Sequence, residues 1–506
     1  MTEQPTDQLS ASNEPNESNE PAQSPKSSSR RDFLKTTSLA AAGFFIVPRH
    51  VLGRGFVAPS DKLVVAGVGV GGKGEGDIAN FYASGFAEIA YLCDVDDRRS
   101  ANSRNKFPKA KYYKDWRELL DKESKHFDAV SVSTPDHNHA IIAISAMQLG
   151  KHVYVQKPMA HDIYEARQMT AAAKKYNVVT QMGNQGSSGD GVRQLREWYN
   201  AGVIGDVHTV HCWTDRPVWP QGIAWPAPDT KIPAELDWDL WLGTAPQKAY
   251  VDNLVPFNWR GWWDYGTGAL GDMGCHLIEA PFRVLGLGSP IEAECSVGST
   301  YVGEFQRGYF PDGPPPSSHI SLRFKGKPGK PDIKFNWMDG GIQPTRPDEL
   351  GPNEMMGDGG NGVIFEGTKG KMMCSTYGRD PKLLPTSQMS KIHVPQTLPR
   401  VKGGEDGHYA QWVIAAKAGP GSPEAANLSS PFELAGPLTE IVLMGNLAIR
   451  SFDLRKPKAG GGRGFDFPGR YISLLWDGPN MKITNFDDAN QFVQRTYREG
   501  WHVLGA

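Results

Sequence analysis

The sequence predicts a fold of class α/β plus α+β, with a doubly wound parallel sheet followed by a domain on a predominantly antiparallel, open-faced sheet. Strand-like and helix-like segments alternate from Lys62 to about Gln185, as they do in successive βαβ units. A glycine-rich turn follows the first strand-like segment. Beyond Gln185 the chain shows short alternating segments between glycine-rich and proline-rich turns, which is typical of antiparallel strands.

The glycine-rich turn carries the first functional signal. Gly67, Gly69 and Gly72 follow the apolar run that starts at Lys62, and a second apolar run ends at Asp94. This order matches the dinucleotide-binding Rossmann unit, in which the turn amides and the helix N-terminus hold a pyrophosphate and the acid accepts hydrogen bonds from a ribose. The charge of Asp94 favours NAD over NADP. The alternative is an ordinary strand-to-helix turn.

Three further strands are predicted in the first part, at Asp128 to Pro135, His152 to Pro158 and Asn177 to Gln185. Helices are predicted between them, at Ala140 to Gly150 and Ile163 to Tyr176. Ligands of such sheets lie outside the carboxyl ends of the strands. The residues that follow each strand are therefore the first candidates for a site.

The chain of 506 residues is long enough for two domains behind a front segment. Residues 1–29 are poor in large apolar side chains, so we expect them to be disordered. The pair Arg30-Arg31 then precedes a short apolar run, which resembles a twin-arginine export signal; the alternative is a chance pair before an N-terminal helix. We predict a leader and signal at 1–54, an NAD-binding domain at 55–185 and a substrate domain at 186–506.

The amino-acid composition argues against several classes of protein. A formal net charge of −2, with 39% hydrophobic and 22% charged residues, indicates neither a nucleic-acid partner nor a disordered chain. No segment after residue 56 is predicted to span a membrane. The five cysteines form no CxxC pair, so no disulfide scaffold or structural zinc site is expected.

Three residues are candidates for catalysis. Lys157 lies at the end of a predicted parallel strand, where it faces the nicotinamide pocket. Asp272 and His276 are four residues apart, so a helix places both side chains on one face. In alcohol oxidation His276 takes the hydroxyl proton, Asp272 orients the substrate or the imidazole, and Lys157 stabilises the developing oxyanion. The alternatives are a surface lysine, a helix-capping acid and a packed histidine.

Several motifs together resemble those of the Gfo/Idh/MocA oxidoreductases. They are VAGVGVGGKG from Val65, YLCDVD from Tyr91, TPDHNHA from Thr134, QKP from Gln156, DMGCH from Asp272 and GHYAQW from Gly407. The resemblance covers about residues 61 to 450. It is greatest to exported members that are common in glycan-degrading bacteria.

The resemblance implies roles for individual residues. It assigns catalysis to Lys157, Asp272 and His276, and it places Thr134, Pro135 and His139 at the cofactor. The family usually has Glu before Lys-Pro, whereas this chain has Gln156, whose amide we expect to hydrogen-bond the nicotinamide ribose.

The substrate wall is predicted from polar strand ends and from the many tryptophans of the second part, which can stack on sugar rings or simply pack in the core. The candidates are Asn184, Gln185, Trp213, Arg216, Trp259 and His408. His137 and His139 form a His-x-His pair, but no acid or cysteine with matching spacing accompanies it, so no metal is predicted.

The predicted function is that of an exported, periplasmic NAD-dependent oxidoreductase. It transfers hydride between a ring hydroxyl of a sugar or glycoside and a tightly bound nicotinamide cofactor. One alternative is a glycosidase that uses bound NAD to oxidise, eliminate and re-reduce; another is a non-catalytic sugar-binding protein on the same fold. The expected partners are a small carbohydrate or polyol, the twin-arginine machinery and, through the open sheet, further copies of the chain.

Overall fold

The computed structural model describes residues 61–228, 231–458, 460 and 464–503. The predicted leader and twin-arginine signal at 1–54 lie outside the described residues. The first sheet consists of β1 (Leu63–Val68), β2 (Ala87–Cys93), β3 (Lys111–Tyr113), β4 (Ala129–Val132), β5 (His152–Gln156) and β6 (Thr180–Gly183). Its strands are all parallel, in the order β3-β2-β1-β4-β5-β6.

Five helices connect these strands or follow them closely. They are α1 (Lys73–Ala83), α2 (Asp97–Lys106), α3 (Trp116–Glu123), α4 (His139–Gln148) and α5 (Ile163–Lys175). Side chains of Asp96, Asp115 and Asp162 cap α2, α3 and α5 by accepting hydrogen bonds from first-turn amides. The predicted doubly wound parallel sheet is confirmed.

The second sheet has nine strands in the order β15-β14-β13-β7-β12-β11-β8-β18-β19. They are β7 (Val207–Trp213), β8 (Glu292–Val297), β11 (Ser318–Phe324), β12 (Ile333–Met338), β13 (Gly362–Gly367), β14 (Gly370–Cys374), β15 (Lys382–Leu384), β18 (Leu474–Asp477) and β19 (Lys482–Ile483). Only β7 and β12 pair in parallel. The predicted predominantly antiparallel sheet is therefore confirmed.

Short elements complete the second part. Two small hairpins pair β9 (Tyr301–Gly303) with β10 (Gln306–Arg307) and β16 (Lys456–Pro457) with β17 (Phe465–Asp466). The helices are α6 (Asp190–Asn200), α7 (Trp238–Leu242), α8 (Gly268–Leu285), α9 (Gly407–Ala418), α10 (Pro423–Ala426) and α11 (Phe432–Phe452).

The helix α11 lies at the centre of the fold. It contacts α5 and β6 of the first sheet and α8, β8 and β11 of the second part. With 21 residues, it is long and apolar enough to cross a membrane, so the prediction that no segment after residue 56 could span one was wrong on length and composition. However, most of this helix is buried inside the protein, as a core helix is.

The helix α9 packs on the first sheet although it comes late in the chain. Trp412 is fully buried, and its ring lies 4.9 Å from that of Phe81 on α1 and 5.4 Å from that of Tyr154 on β5. Residues of α9 thus share one apolar cluster with β1, α1 and β5. A helix that lies far beyond residue 185 in the sequence therefore packs against the first sheet.

The glycine-rich turn is shaped by close contact between backbones. Gly69 has a φ of +75° and passes the backbone of Ser133 at the end of β4. A Cβ at Gly74 would stand 1.8 Å from the carbonyl oxygen of Gly69. Gly74 is therefore the glycine that lets α1 approach the turn and the end of β4 closely.

This geometry predicts opposite effects for two substitutions in the same helix. We expect Gly74→Ala to lower the free energy of unfolding by about 1–3 kcal/mol or more, because the added methyl group meets backbone. In Gly76→Ala the new Cβ has no heavy atom within 4 Å, so we expect a gain of up to about 1 kcal/mol from helix propensity. Urea unfolding of the two variants measures both; equal effects would contradict the assignment.

Candidate active site

A cleft of about 520 Å³ opens at the carboxyl ends of β1, β4 and β5 and is closed on its other side by the second part of the chain. Its lining includes Gly69, Gly72, Lys73, Asp94, Thr134, Pro135, Gln156, Lys157, Gln185, Arg216, Trp219, Phe257, Trp259, Arg260, Asp272, His276 and Tyr377. Two distinct regions share this cleft. One surrounds Lys157, and the other surrounds Asp94.

The region around Lys157 is built on a partly buried group of charges. The Nζ of Lys157 donates to the Oδ1 of Asp272 at 2.6 Å and to the carbonyl oxygen of Asp272 at 2.8 Å. The Nε of Arg260 donates to the same Oδ1 at 3.1 Å. Burial alone would raise the pKa of Asp272, but the charges of Lys157 and Arg260 hold it well below its usual range. Two cations thus share one carboxylate and leave a net positive charge.

The imidazole of His276 lies one helical turn beyond Asp272, as the spacing predicted. Its Nδ1 is 2.8 Å from the Oδ1 of Asn184. Asn184 donates its own amide protons to the carbonyl oxygen of Cys275 and the hydroxyl of Ser187, so its Oδ1 must accept. His276 therefore carries its proton on Nδ1, and Nε2 is the nitrogen left to accept a proton in the cleft.

The imidazole of His276 is neutral. Burial lowers the pKa of His276 well below its usual value, and the charge of Lys157 lowers it further. The ring also packs edge-on against Tyr377, with 4.6 Å between ring centroids. The site thus presents an unprotonated base, held in one orientation, beside an ammonium group.

Three of the predicted substrate residues line the cleft and three do not. Gln185, Arg216 and Trp259 line it. Asn184 is fully buried and holds His276 instead. Trp213 is fully buried in a cluster of methionine, leucine and isoleucine side chains, so for this tryptophan the core alternative is correct. His408 is buried between the hydroxyl of Ser188 and the carbonyl of Met182, which leaves neither ring nitrogen for a ligand.

The region around Asp94 fits the adenosine and pyrophosphate of a dinucleotide. Asp94 accepts hydrogen bonds from the amides of Val70 and Gly71, at 2.9 and 3.0 Å, and so braces the turn. The amides of Gly72 and Lys73 donate to no acceptor in the described part of the chain. They lie at the N-terminus of α1, which is where a phosphate binds.

A second observation supports this fit. The hydroxyl oxygen of Thr134, at the end of β4, is buried without a hydrogen-bond partner among the described residues. A ligand bound in the cleft would supply a partner for this hydroxyl. The neighbouring Pro135 lines the same wall.

Three predicted cofactor residues have other roles. Gly67 does not line the cleft; a Cβ there would meet the side chains of Val70 and Ile78. His139 is fully buried, with its two ring nitrogens 2.9 and 2.8 Å from the carbonyl oxygens of Pro158 and Thr134, so it braces two strand ends. Gln156 lines the cleft, but its amide nitrogen donates to Asp77.

The described residues contain no group of three or more His, Cys, Asp or Glu side chains arranged to hold a metal ion. His137, the other histidine of the His-x-His pair, is fully buried with its ring nitrogens near the carbonyl oxygens of Tyr265 and Trp241. Both histidines of the pair therefore contact backbone carbonyl oxygens, and most of these belong to other segments of the chain.

Comparison with known families agrees with this geometry. Residues 62–184 match the model described as the oxidoreductase family with an NAD-binding Rossmann fold, and residues 206–298 match that family's C-terminal alpha/beta domain. The chain belongs to the Gfo/Idh/MocA family of oxidoreductases. The NAD-binding Rossmann domain predicted from the glycine-rich turn is thereby confirmed.

Individual relatives are more distant. Levoglucosan dehydrogenase of Pseudarthrobacter phenanthrenivorans is 25% identical over 234 residues, which are 44% of this chain and 52% of that protein. A glycosyl hydrolase family 109 protein of Shewanella pealeana is 31% identical over 170 residues, 29% of this chain and 37% of that protein. The chain thus matches about half, or less, of the length of these relatives.

Among solved structures, levoglucosan dehydrogenase in complex with NADH and levoglucosan superposes with a TM-score of 0.50 at 18% identity. The superposition covers 77% of this chain and 97% of that one. This likeness shows that the two proteins share a fold.

Several residues of the site were not predicted from the sequence. Arg260 lies next to Trp259 in a loop, where no periodicity indicates side-chain direction. Lys73 and Asp77 are four apart on α1, a spacing that resembles the one used to find Asp272 and His276 and was not applied there. Nothing in the sequence around Tyr377 marks it as a neighbour of His276.

The burial of Asp94 predicts a pH dependence of NAD binding. Burial raises the pKa of Asp94 to about 6, and ribose hydroxyls bind its ionised form, so affinity should rise with pH through this value and level off above it. Below it, we expect about a tenfold loss per pH unit. Calorimetric titration with NAD at several pH values measures this, and Asp94→Asn should remove the dependence. An equal slope in that variant would contradict the role of Asp94.

Proposed function

We propose that this protein is an exported NAD-dependent oxidoreductase that transfers hydride between a ring hydroxyl of a sugar or glycoside and a nicotinamide cofactor. The observation that carries the proposal is the arrangement of Lys157, Asp272 and His276 in the cleft that also holds the dinucleotide-binding turn. These side chains provide a cation, a carboxylate and an oriented neutral base. They lie near the carboxyl end of β5, and Rossmann domains bind their ligands outside the carboxyl ends of the strands.

The cofactor supplies the acceptor for hydride, and the side chains handle the proton and the charge. The Nε2 of His276 accepts the proton of the substrate hydroxyl, because Nδ1 is already protonated and bound to Asn184. Lys157 has one ammonium proton beyond the two that it gives to Asp272. That proton is available to the reacting oxygen, so the negative charge that develops there is stabilised.

A carbohydrate substrate is supported by the aromatic side chains of the cleft, which are those of Trp219, Phe257 and Trp259. The guanidinium of Arg260 lies over the rings of Phe257 and Trp259, at 4.7 and 4.3 Å from the ring centroids. Aromatic faces next to hydrogen-bonding groups suit sugar rings, which have both apolar and hydroxyl-bearing sides. The relative named levoglucosan dehydrogenase agrees with this class of substrate.

Export and tight retention of NAD are parts of the same proposal. The arginine pair at Arg30-Arg31 supports twin-arginine export to the periplasm, and a protein there needs to carry its cofactor with it. Mass spectrometry of the native purified protein should show a dinucleotide bound at a one-to-one ratio. Whether the chain forms a homo-oligomer stays a prediction.

A second candidate is a glycosidase that oxidises, eliminates and re-reduces with bound NAD. It is favoured by the 31% identity to a glycosyl hydrolase family 109 protein. Elimination needs a second acid or base in addition to His276. Tyr377 provides a phenol beside His276 in the cleft, and this phenol is a candidate for that role.

One incubation separates these functions. Purified protein with aryl glycosides and NAD should give a ketosugar and reduced nicotinamide in equal amounts if it is a dehydrogenase. Release of the aryl group without ketosugar identifies the glycosidase. Binding of the sugar with neither product would contradict both and leave a non-catalytic binding protein.

Loss of the base should affect the chemical step selectively. We expect His276→Gln to lower kcat by about 10²–10⁴, the contribution typical of a general base, with little change in NAD affinity. Single-turnover reduction of bound NAD measures this. His208→Gln makes the same change at an exposed position of β7 and should behave as wild type; an equal loss in both variants would argue against a catalytic role.

A further inference from the structure

A second carboxylate, Asp77, lies beneath the glycine-rich turn and takes no part in the chemistry above. It is fully buried on α1. Its oxygens accept hydrogen bonds from the Nζ of Lys73, from the hydroxyl of Ser133 at 2.8 Å and from the Nε2 of Gln156 at 2.8 Å. Asp77 therefore joins the turn to the ends of β4 and β5.

These contacts fix the orientation of the Gln156 side chain. A carboxylate oxygen only accepts hydrogen bonds, so the Gln156 amide must turn its NH₂ group towards Asp77. On its other side the amide touches Gly183 of β6, where a Cβ would stand 2.5 Å from the Nε2 of Gln156. The amide is thus confined between a carboxylate and the backbone of the neighbouring strand.

The same contacts disfavour a glutamate at position 156. Its carboxylate oxygen would stand where Nε2 now stands, 2.8 Å from the Oδ2 of Asp77. Two buried carboxylates at this distance repel each other unless they share a proton. The glutamate that usually precedes Lys-Pro in the family is therefore disfavoured beside an ionised Asp77 in this chain.

We propose that Asp77 and Gln156 form an acid–amide pair in which the two side chains depend on each other. The buried carboxylate comes from α1, and the neutral amide that donates to it comes from the end of β5. Both are positioning residues. Asp77 holds Lys73 beside the turn that receives the pyrophosphate, and it fixes the residue directly before Lys157. The inference rests on the proposed function only where NAD binding is measured.

The pair also connects the cofactor site to the late helix α9. The Nζ of Lys73 donates to the hydroxyl of Tyr409 at 2.7 Å, and the Nε2 of Gln185 donates to the same hydroxyl at 3.0 Å. A disturbance at Asp77 therefore reaches the turn, the cleft wall and α9 together. Both NAD affinity and thermal stability should respond.

A charge-swap cycle tests the pair with four proteins: wild type, Asp77→Asn, Gln156→Glu and the double variant. We expect Gln156→Glu to weaken NAD binding by about tenfold or more and to lower Tm, and the double variant to recover binding to within about threefold of wild type, because contacting residues couple this strongly. Gln168→Glu on α5 adds the same charge elsewhere and should change neither quantity.

A pH series distinguishes charge repulsion from a simple packing defect. The other titratable groups that face Asp77 are Lys73, Tyr154 and Tyr409. Burial raises the pKa of both tyrosines, so they stay neutral near and below neutrality. The deficit of Gln156→Glu relative to wild type should therefore shrink as the pH falls and the two carboxyl groups share a proton; a defect independent of pH would overturn the pair.

The other outcomes of the four-protein comparison also decide whether Asp77 and Gln156 are paired. If Gln156→Glu binds NAD and unfolds as wild type does, or if the double variant is no better than the single variants, the pairing is wrong. If Gln156→Glu fails to fold while the double variant folds, the pairing is supported. If wild type binds no NAD, the proposed function fails, and the Tm values of the four proteins still decide the pairing.

Discussion

The partly buried ion pair between Lys157 and Asp272 is the interaction on which the site depends. The two side chains are 14% and 15% exposed, and they join the end of β5 to the first turns of α8. Removing Asp272 would leave Lys157 and Arg260 without the carboxylate that they share, which would destabilise the site. The ion pair therefore holds α8 against the end of the first sheet. It places His276, one turn along α8, in the cleft, where the contact with Asn184 sets the orientation of the imidazole ring.

Much of the fold was predictable because it depends on local sequence. Parallel strands with polar ends and amphipathic helices leave a periodic signal, and the order of the first sheet follows from the dinucleotide-binding pattern. The grouping of Asp272 with His276 was predictable for a similar reason, since four residues on a helix fix two side chains on one face. The rule that ligands lie at the carboxyl ends of parallel strands placed Lys157 at the site, whereas its grouping with Asp272 and His276 was implied by the resemblance to the family.

The direction of many single side chains was not predictable. Asn184, Trp213 and His408 are all fully buried, because tertiary neighbours decide which side of an element faces the core. His139 contacts the backbone carbonyl oxygens of Thr134 and Pro158, beyond the ends of two different strands, a demand that sequence spacing does not reveal. Arg260 comes from a loop, so neither helical nor strand periodicity applies to it.

The packing of α9 on the first sheet has a consequence for how such proteins can be recombined. Trp412 covers rings of α1 and β5 that would otherwise form an open apolar surface. A fragment cut after β6 would expose that surface and would be prone to aggregate. A chimera between relatives must therefore inherit the nucleotide-binding half together with this late helix, although more than 200 residues of chain separate β6 from α9.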